Sequence, residues 1–162
     1  MLTAKITEKM ISFYEGSLHD ISHFMKVYAY AQTIGRLEGL DEKTQLALEI
    51  SAVVHDIACP LCRQKYGNAS GTHQEQESEA LLLPFLEEFG LEKDILDRIV
   101  YLVTHHHTYE NIDGVDYRIL LEADYLVNAV ESGYSTEAIK TFVDTVFLTQ
   151  SGLRIAKSMF GL

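Results

Sequence analysis

Apolar residues recur at intervals of three and four along most of the chain, and no run alternates β-branched with polar residues. Helices need a period near 3.6 and strands a period of two, so the chain is built for helices. Only Pro60 and Pro84 can interrupt the pattern through a missing N–H. The spacing predicts a helix over about Ile6–Tyr14. A second runs from a cap at Ser17 or Asp20 to near Gly39, with Phe24, Val27, Ala31 and Ile34 as its apolar stripe. Asp41 caps a third, carrying Leu46, Ile50, Val53, Val54 and Ile57, which Pro60 stops. "KYGNASGTHQ" reads as a loop. A fourth helix spans about His73–Gly90, with a kink or break at Pro84. Others cover about Glu92–His107, Val115–Ser132, and from Thr136 onward, with a short last one in "SGLRIAKSMF". The expected fold is all-α, an irregular bundle of six to eight helices.

With 162 residues, 47% of them hydrophobic, the chain suits one domain with a sizeable core. The net charge is −11 with only 13 Lys plus Arg, a surface that repels nucleic acid polymers and anionic membranes. A small anionic substrate would need a local positive focus, and a bound metal is the obvious source. No apolar run approaches the ~18 residues that span a bilayer, and "MLTAKITEKMISF" carries charges where an export signal needs an apolar stretch. The two cysteines of "CPLC" are half a zinc site without a second half, and read as structural thiols. A cytoplasmic protein is expected. An oligomer is compatible with all of this.

The polar residues inside apolar helices carry the chemistry. His19, His23, Lys26 and Tyr30 form a second stripe on the second helix. His55 and Asp56 end the third helix in "AVVHDIACP". His105, His106 and His107 end the fifth, and Asp124 lies in "ILLEADYLVNAV", apolar almost all round. A buried carboxylate needs a partner or a metal, because an isolated charge is costly to desolvate. Imidazoles with carboxylates suit Fe, Mn, Co, Ni or Zn. At ~100° per residue, Ile95, Leu96, Ile99, Leu102 and Val103 set a buried face on which His106 is central. His107 falls at its edge and His105 largely off it, though a helix end can deviate. Plainer readings exist: Asp124 paired with Arg118 or Lys26, Asp56 as a cap, the three histidines as a polar terminus.

In order and context, "DISHFMKVYAYA", "AVVHDIA" and "LLEADYLVN" resemble the HD-domain metal-dependent phosphohydrolase superfamily over about residues 18–130. The resemblance implies an all-α fold, one or two divalent metals, and hydrolysis of phosphate esters or anhydrides of small metabolites or nucleotides. It implies His23, His55, Asp56 and Asp124 as metal ligands. Lys26 falls where many members carry a basic residue, and would steady the phosphate while Asp56 bridges two metals. A second metal would draw on His106 or His105 and on His73 or Glu77. Many members follow the His-Asp pair with Gly-Lys. Here "HDIACP" removes that lysine, and Lys65 or Arg63 is a possible substitute. The resemblance also admits a catalytically idle nucleotide sensor and a di-iron oxygenase.

Overall fold

The computed structural model describes all 162 residues, Met1–Leu162. Nine α-helices follow one another: α1 Leu2–Phe13, α2 Leu18–Glu38, α3 Glu42–Val54, α4 Cys59–Tyr66, α5 Gly71–Leu86, α6 Lys93–His105, α7 Val115–Glu131, α8 Thr136–Val146 and α9 Gln150–Phe160. There is no strand. The all-α expectation is met. Eight helices have eleven residues or more, and α4, with eight, adds to the anticipated set. Pro60 therefore does more than stop α3. It sits in the first turn of α4, where its missing N–H costs nothing. Pro84 lies within α5 without ending it, and a single 3-10 turn, Glu87–Phe89, follows.

The central element is α3. Asp41 starts it by accepting from the Lys43 and Thr44 backbone N–H groups at 3.0 Å. Every residue from Ala47 to Val54 is buried, and α1, α2, α6 and α7 all pack on the helix. Ile50, Val53 and Val54 each cost a few tenths of a kcal/mol in helix propensity, roughly. Burying each returns about 1.5–3 kcal/mol, so packing decides the conformation. Leu48 and Ala52 join a core with Val27, Ala31, Ile34 and Leu120. Ile50, Val53 and Val54 join another with Ile6, Met10, Phe24 and Ile99. The predicted α2 stripe is thus buried, split between the two cores.

A helix buried on all sides reads as hydrophobic by composition. The stretch 42–66 is long and apolar enough to pass for a membrane span, contrary to the sequence expectation, but 78% of its most apolar window is buried inside the protein. Its end delivers the polar pair. Past Val54 the chain turns, with Ile57 N–H bonded to Val54 O at 3.0 Å and Cys59 N–H to Asp56 O at 2.8 Å. His55 and Asp56 are thereby left at the junction of α3 and α4.

Candidate metal centre

Three elements converge there. α2 supplies His23, the α3–α4 turn supplies His55 and Asp56, and α7 supplies Asp124. His23, His55 and Asp124 are buried, and Asp56 is mostly so. His23 Nε2 lies 3.2 Å from His55 Nε2, 3.4 Å from Asp56 Oδ2 and 3.2 Å from Asp124 Oδ1. His55 Nε2 lies 3.4 Å from Asp56 Oδ2 and 3.5 Å from Asp124 Oδ1. Ligand atoms about 2.0–2.2 Å from one ion in tetrahedral or octahedral arrangement stand about 2.8–3.6 Å apart. The separations between the two imidazoles and from each of them to the two acids match that spacing, so the donor set fits a divalent metal.

The far sides of the imidazoles support the same reading. His55 Nδ1 is 2.9 Å from Ala52 O, an interaction that fixes a donor there and leaves Nε2 as a lone pair. His23 Nδ1 is 2.9 Å from Glu131 Oε2. Metal-bound histidines are held in this way by a carbonyl or a carboxylate. Asp124 Oδ1 accepts from Asn128 Nδ2 at 2.8 Å, and the Tyr14 hydroxyl donates to the Asp56 backbone carbonyl at 2.6 Å.

Two acids and two imidazoles enclosed together call for positive charge between them. Burial opposes a charge on His23, but Asp124, Asp56 and Glu131 outweigh it and push its pKa up to about 9. Burial likewise opposes ionisation of Asp56 and Asp124, and the imidazoles around them win, holding both carboxyls below the usual range. A proton or a metal cation can meet that demand.

A second group adjoins the first through Asp56. His106 Nε2 is 3.6 Å from Asp56 Oδ1, the oxygen other than the one facing His23 and His55. Its Nδ1 is 2.7 Å from Val103 O, so Nε2 again presents a lone pair, fully buried and without a hydrogen bond. His107 Nε2 is also buried and partnerless. Burial and the neighbouring His106 push the His107 pKa down to about 4, which keeps the ring neutral. Donor atoms of Asp56, His106 and His107 lie within 4.8 Å of one another.

The other anticipated residues lie elsewhere. His105 turns back on its own helix, with Nδ1 2.8 Å from Tyr101 O and its ring stacked on Tyr101. His106 already leaves α6, so helical phase stops applying and His107 comes in at the site instead. His73 stacks on Tyr66 with ring centroids 3.8 Å apart, its Nδ1 3.3 Å from Asn68 Oδ1. Glu77 binds Lys65 and the Tyr66 hydroxyl, each at 2.5 Å. The expectation that His73 or Glu77 faces Asp56 is not met. With α5 starting from the cap at Ser70, Gln74 and Ser78 are the buried residues of its first half, and Gln74 lines the clefts beside Asp56. Lys26 does not face the ligand atoms: its Nζ donates to Glu131 Oε1 at 2.9 Å. Arg63 makes two bonds to Asp20, at 2.7 and 2.8 Å. Cys59 and Cys62 are buried free thiols, and burial together with Asp56 raises the pKa of Cys59.

The sequence reading missed Gln74, Asn128 and Glu131. The last two stand four and seven residues after Asp124, on one face of α7, and that spacing was a usable signal. Asp56 and Asp124 also line a cavity of about 970 Å³, walled by Tyr109, Tyr125, Tyr134 and Phe142. A smaller cleft of about 220 Å³ reaches Asp56 from the side of His19 and Arg63.

This helical arrangement has solved counterparts. A predicted HD superfamily hydrolase from an uncultured Thermotogales bacterium superposes with a TM-score of 0.72 at 22% identity, over 98% of this chain and 84% of that one. The chain has the HD-domain fold. YpgQ from Bacillus subtilis superposes with a TM-score of 0.65 at 16% identity, over 99% of this chain and 89% of its own. No family model and no curated protein sequence matches the chain.

Proposed function

We propose that the protein is a metal-dependent phosphohydrolase, acting on a phosphate ester or anhydride of a small metabolite or nucleotide. The observation that carries the proposal is that the His23 and His55 Nε2 atoms, 3.2 Å apart, each lie 3.2–3.5 Å from an oxygen of Asp56 and of Asp124, two acids that line an open cavity. His23, His55, Asp56 and Asp124 hold a first divalent ion. A divalent ion there supplies Lewis acidity toward a phosphoryl oxygen and makes water acidic enough to serve as a nucleophile near neutral pH. His23 and His55 are held as Nε2 donors by Glu131 and the Ala52 carbonyl. Lys26 acts through Glu131 rather than on the phosphate. Asp56 turns one oxygen to each group, so a second ion would bind against His106 and His107 with Asp56 as the bridge. That second group is the observation that keeps a di-iron oxygenase as the rival reading.

The experiment is metal analysis of protein purified without added metal, followed by a phosphate-ester screen with Mn, Fe, Co, Ni and Zn. Hydrolysis dependent on a divalent metal is expected. The His55→Ala variant should stay helical by circular dichroism while losing bound metal and turnover. Retained metal in that variant overturns the ligand assignment. Specific nucleotide binding without turnover would make the protein a sensor, and iron with a visible absorption band would favour the oxygenase.

A further inference from the structure

The large cavity has a chemistry of its own. Tyr125 follows Asp124 directly on α7, and its ring lies flat on Phe142 of α8, with centroids 3.5 Å apart and planes 1° from parallel. Tyr109, from the α6–α7 connection, meets Phe142 edge-on at 5.4 Å. Tyr134, from the α7–α8 connection, stands 6.0 Å from Tyr125. Tyr109 and Tyr134 line the cavity, yet each is 45% exposed. An aromatic wall is thus assembled beside Asp124, with ring surface left free.

Charge points the same way. No Lys or Arg lines this cavity, and its ionisable residues beyond the metal-site group are tyrosines and Glu137. Lys26, Arg63 and Lys65 are each committed to an acid: Lys26 to Glu131, Arg63 to Asp20 and Lys65 to Glu77. A substrate with further phosphates extending into this space would meet Glu137 and ring faces instead of cations. An uncharged planar ring would find stacking partners and avoid the cost of desolvating a charge.

Resting on the phosphohydrolase reading, we propose that the Tyr109–Tyr125–Tyr134–Phe142 wall is a specificity subsite for an uncharged aromatic ring borne by the phosphorylated substrate, with the phosphoryl group at Asp56 and Asp124. A simple aryl group and a nucleobase share this chemistry.

The test uses non-hydrolysable phosphonates and the manganese-loaded full chain. Calorimetry compares phenylphosphonate with methylphosphonate, and a nucleoside 5′-phosphonate, in which a CH2 replaces the ester oxygen, with the matching ribose phosphonate that lacks the base. The ring should tighten binding by about tenfold or more in at least one pair, and the favoured pair tells aryl from nucleobase. Tyr134→Ala, at an exposed position, and the milder Phe142→Leu should each bring that ratio toward one. Equal affinities within both pairs, or a preference that both variants leave intact, overturns the subsite while leaving the hydrolase reading in place. Binding of none of the four ligands overturns the hydrolase reading itself, and the subsite with it.

Discussion

Glu131 has no counterpart in the sequence motif, yet both of its oxygens serve the site. Oε2 holds His23 Nδ1 at 2.9 Å and Oε1 takes Lys26 Nζ at 2.9 Å. Lys26 keeps the carboxylate charged and in place, and the carboxylate fixes the imidazole with Nε2 inward. Burial works against ionisation of Glu131, but Lys26 and His23 prevail and hold its carboxyl below the usual range. Partners of this kind typically set metal affinity by a factor of about 10–100. Glu131→Ala should weaken metal binding by about that factor, while Glu131→Gln, which keeps an oxygen for the ring N–H, should lose less. A competition titration with a chromophoric chelator measures both. No loss in either variant would show that the ring is positioned by packing alone, and equal loss in both would show that the charge of Glu131, not its hydrogen bond, is what sets the affinity.

At the scale of elements, what the sequence disclosed depended on whether a helix stays regular. The α2 stripe, the Asp41 cap and the end near Gly39 follow from periodicity and cap chemistry, and the structure shows them, whereas α6 stops at His105, two residues short of the expected His107. His55, Asp56 and Asp124 stood out as polar side chains in or at the end of apolar helices, whereas His23 was singled out from the His19–Lys26–Tyr30 stripe only by the family resemblance. Phase was not legible wherever a helix started or stopped. Placing the fourth helix from His73 left open which of its faces looks inward, and the Ser70 cap turns Gln74 inward instead of His73 and Glu77. The turn after His105 does the same for His107. Glu122 gives a further case on α7. It is fully buried, two residues before Asp124, and serves α9 rather than a metal. It accepts from the Leu148 and Thr149 backbone N–H groups at 2.8 and 3.0 Å and from the Thr149 hydroxyl at 2.5 Å. Burial raises its pKa, and these bonds only partly offset the rise. Glu122→Ala strands three donors at the start of α9 and should cost about 2–4 kcal/mol, read by urea unfolding. A cost under about 0.5 kcal/mol would show that water or a shifted α9 satisfies them.

The whole molecule carries 24 acids against 13 Lys plus Arg, and it encloses two of the acids where its central helix ends. Helices from both ends of the chain's order meet there, with α2 packed on α3 and α7, and α3 packed on α6 and α7. A cation at that junction therefore ties together elements that bury most of the two cores. An unfolded chain has no such donor group, so a bound ion stabilises the folded form by mass action. At a free metal concentration about 100 times the dissociation constant, the gain is about 2.7 kcal/mol. For a chain of this length, each kcal/mol moves the melting temperature by about 2–4 °C. Saturating manganese, or whichever ion the metal analysis identifies, should thus raise Tm by about 5–11 °C over the chelator-treated protein. The shift should grow by about 1.4 kcal/mol for each further tenfold in free ion. Excess chelator should reverse it. His55→Ala should melt at one temperature with or without the ion, because the loss of a central donor removes the binding that drives the shift. Differential scanning calorimetry of the two proteins in parallel decides the matter. A wild-type Tm indifferent to every divalent ion would show that protons alone neutralise the buried acids, and the metal centre would then have to be abandoned.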